Sequence, residues 1–144
     1  MAKGGENMLG RFSELTWKDS FNSGHPLIDG QHRGLFAVAN ELLAAANAAR
    51  PREEIMAIAH RLMDDIVRHF RDEEDFLARI GFVELDPHSA EHSRLVSKGR
   101  TLLEAFGNDQ LELAELFQFF AYDIVTRHML GSDRRFFPHV RNHV

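Results

Sequence analysis

The chain has 144 residues, of which 44% are hydrophobic and 27% charged, with a formal net charge of −5 and no cysteine. That is enough for one domain with a single sizeable core. It excludes disulfides, thiolate metal sites and a cysteine nucleophile, and the acidic balance argues against nucleic acid as a partner. No apolar run approaches the ~20 residues of a membrane span, and Met1 to Gly10 lack the apolar stretch of a signal peptide. A cytoplasmic protein is expected.

Residues 1–26 read as an N-terminal arm without helical period, anchored by Phe12, Leu15, Trp17 and Phe21. A first helix should begin near Pro26 to Ile28 and run to about Ala48, with Ile28, His32, Leu35, Ala39 and Leu42 facing inward. A second should run from Pro51, favoured at a first helical position, to Ile80, with Gly81 as a left-handed cap. Its stripe is Ile55, Ala59, Leu62, Ile66, His69, Glu73, Phe76, Ile80. Asp86-Pro87 predicts the start of a third helix, about Pro87 to Phe106, with Asp86 as its capping acceptor. Its inward residues are His88, His92, Leu95, Gly99, Leu102 and Phe106. A fourth helix is expected over Asp109 to Leu130, with Leu113, Phe117, Phe120, Ile124 and His128 inward. Beyond Gly131 a short helical segment carries Asp133, Phe136 and Phe137. No stretch alternates with period two. The prediction is an all-α fold: an antiparallel up-down-up-down four-helix bundle over residues 27–144, with an N-terminal arm and a short C-terminal helical segment.

In each core stripe a histidine stands where an apolar residue would be expected. A buried charge or unpaired imidazole costs several kcal/mol unless it is paired or bound to a metal. Up-down topology brings the start of helices one and three to the ends of helices two and four. His32, His69, Glu73, His88, His92 and His128 therefore fall at one end of the bundle, and a break at Gly131 could turn Asp133 inward. Nine histidines in 144 residues would give about 0.6 His-x-x-x-His pairs by chance, so the spacings alone say little. Their convergence says more. A metal-free polar layer would explain one such histidine, but not seven groups at one level. Five imidazoles and two carboxylates exceed one ion's needs and suit two ions sharing carboxylates, with Fe, Zn, Cu or Ni all compatible. No Glu-x-x-His or His-Glu-x-x-His pattern occurs. His25, His60, His139, His143 and Glu74 are expected to be solvated.

These segments resemble the hemerythrin family, in particular its bacterial members. The matching stretches are Ile28-Asp29-Gly30-Gln31-His32, His69-Phe70 with Glu73-Glu74, His88 with His92, and His128 with Asp133. The resemblance implies a non-heme di-iron centre. His88, His92 and His128 would bind one iron and His32 and His69 the other. Glu73, Asp133 and an oxo or hydroxo group would bridge the two. Dioxygen would be the ligand at the two-histidine iron, in a pocket lined by Ile124 and Leu130. Two positions depart from the family's habits. Ile124 replaces a frequent tryptophan, which implies a roomier pocket, and Asp65 stands where bacterial members often have tyrosine.

The resemblance implies reversible dioxygen binding for sensing, storage or delivery, and no enzyme activity. The alternative is a di-iron enzyme acting on peroxide or nitric oxide. The stretch Ala2-Lys3-Gly4-Gly5-Glu6-Asn7 also resembles the end of diguanylate cyclase output domains, which would make the chain part of a larger signalling protein.

Overall fold

The computed structural model describes residues 12–140 together with His143; Ala2 to Asn7 lie outside the described residues. Helix α1 spans Pro26–Asn47, α2 Arg52–Arg79, α3 Leu85–Gly107, and α4 Leu113–Gln118, which continues as a π-helix over Phe119–Met129. A 3-10 turn, Ser132–Arg135, and a final short helix α5, Phe137–Val140, complete the described chain. Among the described residues no helix is long and apolar enough to cross a membrane.

The start of α1 is held by a knot of polar contacts. The buried Asp29 carboxylate accepts from Ser23 N and Ser23 Oγ, both at 2.7 Å, and from Gly24 N at 3.0 Å. His25, expected in solvent, instead accepts from Ile28 N through Nδ1 and lies edge-on to Phe76 at 4.4 Å. It caps the helix. Helix α2 has 28 residues. At the usual helical rise it is about 42 Å long. Glu53 and Glu54 occupy its first turn, where the helix dipole favours acids. Gly81 follows it with φ of 70°, as a left-handed cap requires.

Neighbouring helices run antiparallel. Arg61 of α2 pairs with Glu41 late in α1. At the same end Arg52 opens α2 against the Phe106 carbonyl and, at 3.0 Å, the Asp109 carboxylate at the end of α3. The described part of the arm lies across the bundle. Leu15 and the Asn40 side-chain amide exchange two hydrogen bonds of 2.7 Å, and Trp17 sits edge-on to Phe36 at 5.1 Å.

Three sequence expectations need correction. Helix α3 starts at Leu85 rather than Pro87, and Asp86 lies inside its first turn instead of capping it. The tight turn that bonds Leu85 N to Phe82 O at 3.2 Å passes straight into the helix, leaving no gap for a side-chain cap. On its inward face Leu103 is buried, whereas Leu102 is only half-buried. Helix α4 starts at Leu113 rather than Asp109. Asp109 takes φ of 59°, a left-handed conformation that breaks the helical backbone.

Apolar side chains form two clusters. The larger fills the bundle from Leu35 and Ala39 through Leu62 and Ile66 to Phe117 and Ile124. The smaller closes one end with Ile28, Phe76, Leu77, Phe82, Phe136 and Val140. On α1 and α3 the buried histidines lie between the two clusters along the chain, and on α2 and the π-helix they lie near the end of the larger one.

Gly131 makes the break that ends the π-helix. A Cβ there would run into the Arg127 carbonyl oxygen, a backbone atom that cannot swing away. Gly131→Ala should therefore cost about 1–3 kcal/mol. Gly34 lies exposed on α1, and a Cβ there meets nothing within 4 Å. Gly34→Ala should therefore add about 0.5–1 kcal/mol. Denaturant midpoints of the two variants against the parent check both signs.

Candidate metal centre

All seven side chains singled out in the sequence come together. His32 lies in the second turn of α1, and His69 and Glu73 one turn apart near the end of α2. His88 and His92 are one turn apart near the start of α3. His128 lies in the last turn of the π-helix, and Asp133 comes from the 3-10 turn beyond Gly131. Each is buried, from 0% exposure for His32, Glu73 and Asp133 to 8% for His88. Ile124 is fully buried one turn before His128, and Leu130 is half-buried two residues after it. His60, His139 and His143 are exposed, as expected.

Within this layer the two carboxylates divide their oxygens. Glu73 Oε2 faces His69 Nε2 at 3.2 Å and His32 Nε2 at 3.8 Å. Its Oε1 faces His88 Nε2 at 2.8 Å and His92 Nε2 at 3.2 Å. Asp133 does the same: Oδ2 is 3.3 Å from His32 Nε2, while Oδ1 is 3.2 Å from His88 Nε2 and 3.1 Å from His128 Nε2. Two ligand groups result, one of Glu73, His88, His92, His128 and Asp133, the other of His32, His69, Glu73 and Asp133. They share only the carboxylates.

The donors fit metal ions better than they fit one another. Despite these close approaches, both Asp133 oxygens and Glu73 Oε2 are buried without a hydrogen-bond partner among the described residues. They point at common centres rather than along N–H bonds. His32 Nε2 stands 3.0 Å from His69 Nε2, and His92 Nε2 stands 2.9 Å from His128 Nε2. Two imidazole nitrogens bonded at right angles to one ion, each about 2.1 Å away, are about 3.0 Å apart. Without an ion, such pairs need a proton. Burial opposes charge on His32, but Asp133 and Glu73 outweigh it and hold its pKa up at about 9. The same balance takes His88 to about 10. Burial likewise opposes charge on Glu73 and Asp133, and the imidazoles around each still keep it well below the usual carboxylate range.

The outer faces of the rings are held by residues that the sequence left without a role. Glu74, expected at the surface, accepts from His92 Nδ1 at 2.7 Å and from Ser89 Oγ at 2.6 Å. Gln31 Oε1 accepts from His69 Nδ1 at 2.7 Å, and Gln31 Nε2 donates to Asp72 Oδ2 at 2.7 Å. Phe70 lies parallel to the His92 ring at 3.7 Å. Gln31 and Glu74 each sit one residue along the chain from a ligand, yet each serves a ring on a neighbouring helix. Only the register between helices reveals that.

Comparison with known proteins gives a consistent picture. A family model described as the hemerythrin HHE cation binding domain matches residues 23–140. The bacteriohemerythrin of Clostridium acetobutylicum is 33% identical over 126 residues, covering 85% of this chain and 98% of that relative. A hemerythrin-like protein of Naegleria gruberi is 32% identical over 124 residues, covering 86% and 92%. The crystal structure of a wild-type hemerythrin superposes with a TM-score of 0.76 at 27% identity, covering 88% of this chain and 97% of that one.

Metal uptake should release protons. His32 and His88 are protonated at neutral pH in the metal-free chain, and an imidazolium has no lone pair to offer. Loading two divalent ions at pH 7 in weak buffer should free on the order of two protons, and affinity should rise with pH toward about 9 to 10. Uptake without acidification would mean that these rings are already neutral.

Proposed function

The chain belongs to the hemerythrin family, and from that premise we propose that it binds dioxygen reversibly at a non-heme di-iron centre for sensing, storage or delivery. His88, His92 and His128 would hold one iron and His32 and His69 the other. Glu73 and Asp133, with an oxo or hydroxo group, would bridge them. The observation that carries this reading is the division of both carboxylates, one oxygen to each half of the site. The iron pair, when bound, supplies the electrons that dioxygen takes up on binding and returns on release.

The protein's own part is to orient and to exclude water. Glu73 and Asp133 fix the spacing of the two halves. The rings of His69 and His92 are locked from outside by Gln31 and Glu74, so their Nε2 atoms face the centre. Apolar clusters above and below keep bulk water away from the layer. The half built on His32 and His69 has the smaller ligand set, four groups rather than five. That half is where an exogenous ligand would bind. Ile124, one turn before His128, and Leu130, two residues after it, would line the pocket for that ligand. This is the chemistry of a carrier or sensor rather than of an enzyme, and a di-iron enzyme acting on peroxide or nitric oxide is the less favoured reading.

Metal analysis combined with optical spectra of the reduced protein, before and after exposure to air, tests the proposal. Two irons per chain and an absorption band that appears in air and vanishes on removing oxygen are expected. Zinc, or a chain isolated and reconstituted without iron, would end it. Ile124→Trp should narrow the pocket and slow the decay of the air-induced band several-fold. Unchanged or faster decay would remove Ile124 from the pocket wall.

A further inference from the structure

The two halves of the site differ in what stands behind their rings. In the three-histidine half the His92 Nδ1 proton goes to a carboxylate, Glu74 Oε2, at 2.7 Å. The His128 Nδ1 atom, buried and without a hydrogen-bond partner among the described residues, has a second carboxylate, Glu91 Oε2, at 3.9 Å. In the other half His69 Nδ1 meets an amide oxygen, and His32 Nδ1 has no hydrogen-bond partner among the described residues.

The amide is not interchangeable with an acid. Gln31 Nε2 donates to Asp72 Oδ2 at 2.7 Å, and an ionised carboxylate can only accept. Gln31 must therefore turn its oxygen to His69, so His69 Nδ1 carries the hydrogen and Nε2 the lone pair. Both halves thus have one ring of preset tautomer. They differ in charge: a carboxylate touches His92 directly, whereas Asp72 reaches His69 only through a neutral amide.

A ring whose N–H is bonded to a carboxylate gains electron density and is the stronger metal ligand at its other nitrogen. We propose that Glu74 is a positioning residue that strengthens the three-histidine half through His92, and that Gln31 keeps the two-histidine half the weaker of the pair. The metals then load in order, three-histidine half first. The inference rests on the ligand set assigned above. Glu74 is partly exposed and lines a cleft between α2 and α3, and the His92 ring is stacked independently on Phe70. A change at Glu74 can therefore alter the ring's electronics without uprooting it.

The test is titration of cobalt(II) into the metal-free protein against a competing chelator. The parent chain should show two unequal sites. Glu74→Gln should weaken the tighter one by about 10–100-fold and leave the other within about threefold. Gln31→Leu should spare the tighter site. In a His32→Ala background, where only the three-histidine half is complete, Glu74→Gln should produce the same loss at the remaining site. Ser89→Ala cuts the tie between α2 and α3 but keeps the Glu74 carboxylate, so it should leave the tighter site intact. If Ser89→Ala weakens that site as much as Glu74→Gln does, the role is packing and the proposal falls. It falls equally if Glu74→Gln moves neither site or moves the other one. A parent chain that takes fewer than two ions overturns the ligand assignment itself, and this inference with it.

Discussion

Two fully buried carboxylates, Glu73 and Asp133, constrain the rest of the molecule. An ionised acid taken out of water costs several kcal/mol even after relaxation, and removing its partners leaves that cost unopposed. Here the partners are five imidazoles drawn from α1, α2, α3 and the π-helix. Each carboxylate offers one oxygen to each half, so neither half can move without the other. The antiparallel order of the helices follows from the same requirement. Only that order brings the starts of α1 and α3 to the ends of α2 and the π-helix.

Placing such a layer near one end of the bundle creates a sealing problem. The main core closes it on one side with large side chains such as Ile66, Phe70 and Phe120. On the other side, among the described residues, the α2–α3 turn and the C-terminal segment are brought over the ends of α1 and α2. Phe82, Phe136 and Val140 from those pieces pack with Ile28, Phe76 and Leu77 into the second cluster. The Asp29 knot fixes where α1 enters this lid, one turn before His32. Polar contacts at the mouth and apolar contacts above thus serve one end, keeping water away from charges that need a metal instead.

The helices and the convergence of the candidate ligands are legible in the sequence because both follow the helical period. A histidine at a core position is conspicuous, and antiparallel topology alone brings such positions to one level. Glu74 and Gln31 are not legible in that way. Each lies one residue off the inward stripe of its own helix, and its partner ring belongs to another, so its role depends on interhelical register. His25 escapes for a similar reason: its cap role depends on a loop conformation set by Asp29, Ser23 and Gly24. At the start of α3, Asp86-Pro87 is a sound local signal that the preceding turn at Phe82 overrides. The π-helix does leave a mark. Leu116-Phe117, Phe120-Ala121, Ile124-Val125 and His128-Met129 are buried as pairs four residues apart.

That spacing explains how His128 and Asp133 reach one centre. In an α-helix of about 3.6 residues per turn, a step of four overshoots by about 40°, so four successive pairs would drift around the axis by about 120°. An underwound helix turns less per residue and so opposes that drift. Within it Thr126 Oγ bonds to Ala121 O, five residues back, at 2.8 Å. The π-helix, following the α-helical turn of α4, therefore helps to carry the buried face down to His128. The next ligand needs the opposite treatment. Five residues of continuous α-helix would turn Asp133 about 140° away from His128. Gly131, with φ of −114° and ψ of −77°, ends the helix, and the tighter 3-10 turn brings Asp133 back to the layer. Loose winding before the histidine and tight winding after it together bring His128 Nε2 and Asp133 Oδ1, five residues apart in the chain, to 3.1 Å of each other.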